Sequence, residues 1–335
     1  MDDLSQNLSQ IVKQGKEYNS VKIFPTKDDQ LYVENFIKNL LKTNTVFYTG
    51  KNAINYYLNK DSIKLPIELY SSNIKKDTIN ISKYLSKKYR NVQAKLQDDV
   101  YKIFWEGKFE PVVILYFNNI ENKNTSFIDL KILLMKIFYE FSLPRDYFQE
   151  WKYNLEIIDQ LLNVSNINVS NKKIKHNPEC DKIIKLLESE KNFFYTGMQY
   201  LRFNKIISQV EYLDLYALDP KSIISKIKKN NKNVKVEKQP SFLNFIPEAQ
   251  VVKINKKVCV IIYPIEKCYS HTGYYANVFN VLLNIIYKEP HLFKKTVKHY
   301  QDLKPKFKYQ GVCIGPLPKP IDKISNKLIY PSKKK

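Results

Sequence analysis

The tetrapeptide Phe-Tyr-Thr-Gly stands at Phe47–Gly50 and again at Phe194–Gly197, in a chain of 335 residues with only seven glycines. Repetition at a long period constrains a fold more than any local propensity, because each copy must then be one structural unit. The match extends in both directions. Upstream of the first tetrapeptide, Val33, Phe36, Ile37, Leu40 and Leu41 make a helical stripe; upstream of the second, Ile183, Ile184 and Leu187 do the same. An Asp at or just before each start supplies a cap.

Downstream, "KNAINYYLNK" and "MQYLRFNKII" read as second helices. "LPIELYSSN" then aligns with "EYLDLYALD", which sets Glu68 opposite Asp214 and Tyr70 opposite Tyr216. A helix with Ile81, Tyr84 and Leu85 matches one with Ile223, Ile224 and Ile227, the latter opened by Asp219 and Pro220 as N-cap and first helical residue. "NVQAKLQ" faces "NVKVEKQ", both alternating with period two. A predicted hairpin follows in each copy and ends in an apolar strand, "PVVILYF" or "VCVIIYP". Each copy closes with an apolar helix and a helix begun by Pro144 or Pro290, and the offset stays within a few residues of about 146 throughout.

The chain therefore reads as a tandem duplication of one α/β (α+β) unit: helix, strand, Thr-Gly turn, helix, strand, helix, strand, hairpin, helix, helix. The expected organisation is a first domain over 1–162, a polar linker over 163–179, a second domain over 180–303 and a basic, Pro-containing C-terminal arm over 304–335, extended and docked on a partner or on RNA, or disordered.

A strand, a small-residue turn, a helix and a strand with acids two residues apart resembles the nucleotidyltransferase fold of the polymerase beta type, with a mixed sheet and flanking helices. That resemblance implies a turn close to a nucleoside triphosphate and two carboxylates on one strand face holding Mg²⁺, with a third from a neighbouring strand. The segment "IYPIEKCYSHTGYYANVFNVLLNIIY" is similar to a stretch in poly(A) polymerase catalytic subunits of large DNA viruses, through Cys268, Tyr269, Ser270, Leu282 and Leu283. Those enzymes also look like duplicated nucleotidyltransferase domains with one copy degenerate. Each resemblance covers roughly 120 residues per copy.

The departures from that pattern decide the functional expectation. Where the family shows its first carboxylate, this chain has Pro66 and Tyr212; only Glu68 and Asp214 hold the second position. Neither proline nor a phenol is a Mg²⁺-bridging ligand, since Mg²⁺ selects hard oxygens in near-octahedral geometry. Asp98 and Asp99 are the further acids within reach of the first copy, and the closing strands add none. The family's small pair becomes Gly50-Lys51 and Gly197-Met198, so Thr49, Gly50, Lys51, Thr196 and Gly197 are nucleotide-loop-like positions in reduced form. A lone glycine turn is also an ordinary strand-to-helix connection, and Glu68 and Asp214 read equally as solvated strand positions.

Charge points to the partner. Fifty-five basic residues against thirty-three acidic give +22, and only three of the basic ones are Arg. Lysine is a hydrated point charge that suits phosphate backbones better than base edges. The stretch "KIKKNNKNVKVEK", with Lys226, Lys228, Lys229, Lys232 and Lys235, and the terminal Lys333, Lys334 and Lys335 are concentrated patches, read as an RNA track or as a solvated face.

Four cysteines without a CxxC pair read as reduced thiols; His176 with Cys180 and Cys268 with His271 have only generic spacing for a zinc site. No signal-like leader or membrane-length apolar run is present in the sequence. The expectation is a soluble, cytoplasmic, viral protein: poly(A)-polymerase-like, with degenerate sites and no cofactor, facing RNA, a second copy of itself or a polymerase-type partner chain. Two alternatives stand beside it. One is an active template-independent nucleotidyltransferase using Mg²⁺ or Mn²⁺ through Asp214 or Glu68, and the other is a virion structural protein packed around a genome.

Overall fold

The structure, a computed structural model, describes residues 26–42, 46–60, 65–97, 100–105, 110–117, 126–143, 148–167, 172–266, 269–272, 275–304, 313–314 and 326–330. Among these, two mixed sheets and ten α-helices carry the duplication. The first copy runs α1 (Lys27–Leu41), β1 (Val46–Tyr48), α2 (Gly50–Tyr57), β2 (Ile67–Ser71), α3 (Ile74–Leu85), β3 (Gln93–Gln97), β4 (Val100–Phe104) and β5 (Val113–Phe117), followed by α4 (Leu130–Ser142) and α5 (Phe148–Val164). The second runs α6 (Pro178–Leu187), β6 (Phe193–Thr196), α7 (Gly197–Phe203), β7 (Leu213–Ala217), α8 (Pro220–Asn230), β8 (Val234–Gln239), β9 (Ala249–Ile254) and β10 (Lys257–Pro264). Short strands β11 (Tyr269–Thr272) and β12 (Tyr275–Ala276), α9 (Val278–Lys288), a 3-10 turn (Pro290–Leu292), α10 (Phe293–Leu303), β13 (Cys313–Ile314) and β14 (Asn326–Tyr330) complete it.

The two sheets share one five-strand order, β1-β2-β5-β4-β3 and β6-β7-β10-β9-β8. In each, the second and third strands are parallel and every other pair in the five is antiparallel. The registers also correspond: Glu68 pairs with Ile114 and Tyr70 with Tyr116, as Asp214 pairs with Ile261 and Tyr216 with Tyr263. What differs is the edge each sheet gained. The first is extended by β14 beside β3, the second by β12, β11 and β13 beside β6.

Period-two alternation on β2 turns Ile67 and Leu69 into one core with Val113 and Leu115 of β5 and Ile103 of β4. The stripe of α1 (Val33, Ile37, Leu41) and that of α3 (Ile81, Leu85) close over them. Glu68 and Tyr70 consequently lie on the other sheet face. In the second copy the apolar strand β10 is buried from Cys259 to Tyr263, as a strand covered on both sides must be.

The compact units do not follow the sequence boundary at 162. One comprises Met1–Ile128 with Ile324–Lys335, the other Asp129–Lys323. Helix α4 is apolar nearly all round, and it finds cover on α9, where Phe141 packs on Phe279 and the side-chain amide of Asn277 donates to the Phe141 carbonyl at 3.2 Å. The described end of the expected linker is anchored, with the Lys175 amide donating to Glu211 and that of Asn177 to the Val210 carbonyl. The C-terminal arm is no free extension over its described residues either, since β14 pairs antiparallel with β3 of the same chain. Pro144 lies outside the described residues.

The helix caps are corrected as well. Thr26, not an Asp, caps α1 in a capping box with Asp29, and Asn177 caps α6; Asp219 caps α8 as the sequence implied. Asp29 also accepts from Tyr89 (2.7 Å) and Lys88 (3.0 Å), joining the start of α1 to the end of α3. Partial burial opposes its charge, but the bonds from Tyr89, Lys88 and Thr26 outweigh this and hold the carboxyl well below its ordinary value of 3.8. A depressed folded-state pKa contributes stability that is present above 3.8 and is lost as pH falls below it. Acid titration followed by circular dichroism is expected to show the Asp29→Asn protein with lower stability at neutral pH and a shallower loss between pH of about 4 and 2.

Candidate functional site

Each repeated tetrapeptide forms the same turn. Thr49 has φ −136° and ψ −170°, Thr196 has φ −136° and ψ −168°, and Gly50 and Gly197 both sit at φ +56°. That left-handed value favours glycine, and space demands it too. A Cβ on Gly197 would stand 2.5 Å from Asp214 Oδ2, and one on Gly50 would fall inside the Glu68 carboxylate. The glycine is therefore the surface against which the strand acid rests, so the two motifs recognised separately in sequence are one packed unit in each copy.

In the second copy that acid is sealed. Asp214 and Lys288 have side chains only 3% and 9% exposed, and Lys288 Nζ lies 2.6 Å from Asp214 Oδ1. The ammonium also lies 4.7 Å from the ring centre of Tyr263 and 5.6 Å from that of Tyr212. Burial pushes the Asp214 carboxyl up, partly countered by Lys288, and burial pulls Lys288 down, partly countered by Asp214. The next residue, Glu289, accepts from the Tyr212 hydroxyl at 2.6 Å and pairs with Lys172 and His291, each at 3.2 Å. Tyr212, standing where the family's first carboxylate would be, is thus a donor to a neighbouring acid.

Helix α9 organises this arrangement. Asn280, Asn284 and Lys288 recur every four residues and share one face of an otherwise apolar helix. Thr196 Oγ1 donates to Asn280 Oδ1 at 2.7 Å, Asn284 Nδ2 donates to Asn280 Oδ1 at 3.2 Å, and Lys288 reaches Asp214. One stripe therefore pins both the turn and the acid.

The first copy is looser. Glu68 is half-buried and accepts from the Tyr116 hydroxyl at 3.1 Å. Thr49 Oγ1, the counterpart of the pinned Thr196, is buried with no hydrogen-bond partner among the described residues. Across the sheet from Glu68 come Ile114, Lys102 and Lys95, none of them an acid. Tyr70 and Tyr116 pack at 5.6 Å, as Tyr216 and Tyr263 do at 4.8 Å, so tyrosines fill the same-face positions in both copies.

A divalent ion pair does not fit these donors. Two-metal catalysis needs converging carboxylates to bridge the ions. In the second copy an ammonium stands on Asp214 while the neighbouring Glu289 is held by Tyr212, Lys172 and His291, and in the first the described neighbours of Glu68 are tyrosine, isoleucine and lysine. Among the described residues no group of three or more His, Cys, Asp or Glu side chains is placed to hold a metal. His176 pairs with Asp181 at 3.3 Å, and burial pushes the Cys180 thiol up to about 12. Asp98, Asp99 and Cys268 lie outside the described residues.

The remaining sequence candidates separate by structural role. Lys226 is bound to Glu190 (2.7 Å) and Ser189 (2.9 Å), and Lys235 to Glu237 (2.9 Å). Lys228 and Lys229 are exposed in the last turn of α8, and Lys232 is exposed beyond it. Lys51 is exposed on the first turn of α2; Lys333, Lys334 and Lys335 are outside the described residues. Tyr269 is buried against Tyr216 at 5.0 Å, and Ser270 is paired with Cys313 in β13. Leu282 and Leu283 are buried in α9. Lys288, Asn280, Asn284 and Tyr263 were missed by motif reasoning. For the first three the signal was the polar spacing of four inside "NVFNVLLNIIYK".

No protein-family model and no curated protein matches the sequence. Among solved structures, the fold is similar to that of the crystal structure of the Megavirus polyadenylate synthase, with a TM-score of 0.68 at 15% identity, covering 95% of this chain and 80% of that one. The chain has a fold similar to that of a viral poly(A) polymerase. No helix among the described residues is long and apolar enough to cross a membrane.

Two outcomes follow from the packing. Lys288→Met leaves Asp214 buried without its counter-charge and should cost about 3–5 kcal/mol, while Lys288→Met with Asp214→Asn should cost less than the sum of the single changes. Urea unfolding of the four proteins in a double-mutant cycle measures this. Gly197→Ala should destabilise by about 1–2 kcal/mol or more through the left-handed backbone alone. Gly50→Ala should cost less, because the half-buried Glu68 side chain has room to swing aside whereas Asp214 is pinned; thermal melts rank the two.

Proposed function

We propose that this chain is a poly(A)-polymerase-like protein whose two nucleotidyltransferase-type sites are both degenerate. It presents a lysine-rich surface to RNA or to a catalytic partner chain. The observation that carries this reading is the ion pair between Lys288 and Asp214: a fixed ammonium stands on the one family acid of the second copy. A cation built into the protein neutralises the carboxylate as a metal would, but it has no open coordination position for a triphosphate or an attacking hydroxyl. In the first copy the described neighbours of Glu68 across the sheet supply no second carboxylate, which supports the same reading there.

The ion pairs narrow the surface. Lys226 and Lys235 spend their charge on Glu190 and Glu237, whereas Lys228, Lys229 and Lys232 are exposed and have no acid partner among the described residues. The first two also complement the carbonyl end of α8, so their placement serves the helix as well as a polyanion. Each lysine that neutralises a phosphate of single-stranded RNA contributes roughly 0.7 to the slope of log affinity against log salt.

The test is a primer-extension assay with a labelled oligoadenylate, ATP and either Mg²⁺ or Mn²⁺, run beside a salt titration of binding. No extension is expected, together with salt-sensitive binding whose slope falls when Lys228, Lys229 and Lys232 are changed to Ala. Extension by the wild type that disappears in Glu68→Ala or Asp214→Ala would replace this reading with an active enzyme.

A further inference from the structure

Beside each glycine turn a three-ring aromatic stair climbs from the core to the surface. In the first unit, buried Tyr48 packs on Phe127 with ring centres 5.2 Å apart, and Phe127 stacks on Tyr56 at 4.0 Å with the rings 6° from parallel. In the second, buried Tyr195 packs on Tyr275 at 5.9 Å, and Tyr275 stacks on Phe203 at 4.0 Å and 21°. The backbone matches as well: Phe127 bridges Tyr48, and Tyr275 pairs with Tyr195, both in parallel. The outer ring in each case lies in the last turn of the turn helix, α2 or α7.

These outer rings stay in water. Tyr56 is 50% exposed and Phe203 is 59% exposed. One exposed ring on a surface is ordinary. Two at equivalent positions, each resting on a matching two-ring support, are not explained by core packing. The identities have exchanged, Tyr on Phe in one copy and Phe on Tyr in the other, while the stacked geometry persists. What both copies keep is a flat, rigid, half-free aromatic face.

The surroundings favour a polyanion. Residues 46–60 and 193–210, which span both turns and both turn helices, contain no Asp or Glu. Lys51 is exposed at the start of α2, and Lys205 is exposed just past α7. Planar aromatic faces beside basic residues are how proteins hold unpaired bases without reading their sequence, since every base offers a π-face.

We propose that Tyr56 on Phe127 and Phe203 on Tyr275 are two stacking platforms for unpaired nucleobases of single-stranded RNA. This rests on the RNA-binding reading above and adds to it the contacts made to the bases. Lysines alone would bind any polyanion, whereas the platforms select strands whose bases are free to splay out.

Fluorescence anisotropy with a labelled short oligoadenylate tests it, with an abasic strand of equal length and charge as the second probe. Tyr56→Ala and Phe203→Ala are each expected to weaken oligoadenylate binding about tenfold or more, the usual scale for one stacked base. Tyr56→Leu and Phe203→Leu should lose as much as the Ala variants. The salt slope should be unchanged in all four, and affinity for the abasic strand should be the same as in wild type. Because the outer rings are half-exposed, thermal melts should shift by only a few degrees and stay cooperative. Wild-type affinity in the Ala variants, with a steep salt slope kept, overturns the platforms and leaves the lysine surface standing. Rescue by Leu overturns stacking in favour of a plain apolar contact. Absence of oligoadenylate binding by the wild type overturns both.

Discussion

Everything in each half of this protein is arranged around one close approach, a glycine in the left-handed region pressed against the acid of the adjoining strand. The approach fixes where the helix after the turn begins and which sheet face the acid occupies. It also leaves no space for a side chain on the turn. The contact is a packing contact in both halves. The backbone conformation and the strand register enforce each other.

Electrostatics explains how the second half tolerates a buried acid. A carboxylate in that position is expensive to bury without a counter-charge. An active site supplies that charge as metal ions from solution; this chain supplies it as Lys288, tethered to the helix that also clamps the threonine of the turn. The two halves have thus reached different solutions. The second is closed, with Thr196 held by Asn280 and Asp214 by Lys288 of α9, and the first keeps a half-open glutamate and a threonine hydroxyl with no partner among the described residues.

Much of the fold was legible because duplication lets a chain be compared with itself. The repeated order of elements and the hairpin could be anticipated from the two apolar strands and the shared "LY" segments, since period-two burial leaves a clear trace, whereas the strand order and the parallel central pair are seen only in the structure. The cap at Thr26 was obscured by two aspartates just after it, of which Asp29 is the reciprocal partner and not the cap. Helix α4 reads as the end of the first copy, yet it packs in the second unit; an all-round apolar helix carries no information about which neighbour will cover it. Lys288 was hidden for a related reason, because its partner Asp214 is 74 residues away in sequence and only the spacing within α9 hinted at a polar face.

The return of β14 to the edge of β3 has a consequence for biosynthesis. The first sheet is completed by residues that emerge only after the whole of the second unit has been translated. A nascent chain therefore holds its first sheet with the β3 border unpaired until the second unit has been made. During that interval the open margin is an edge in need of protection.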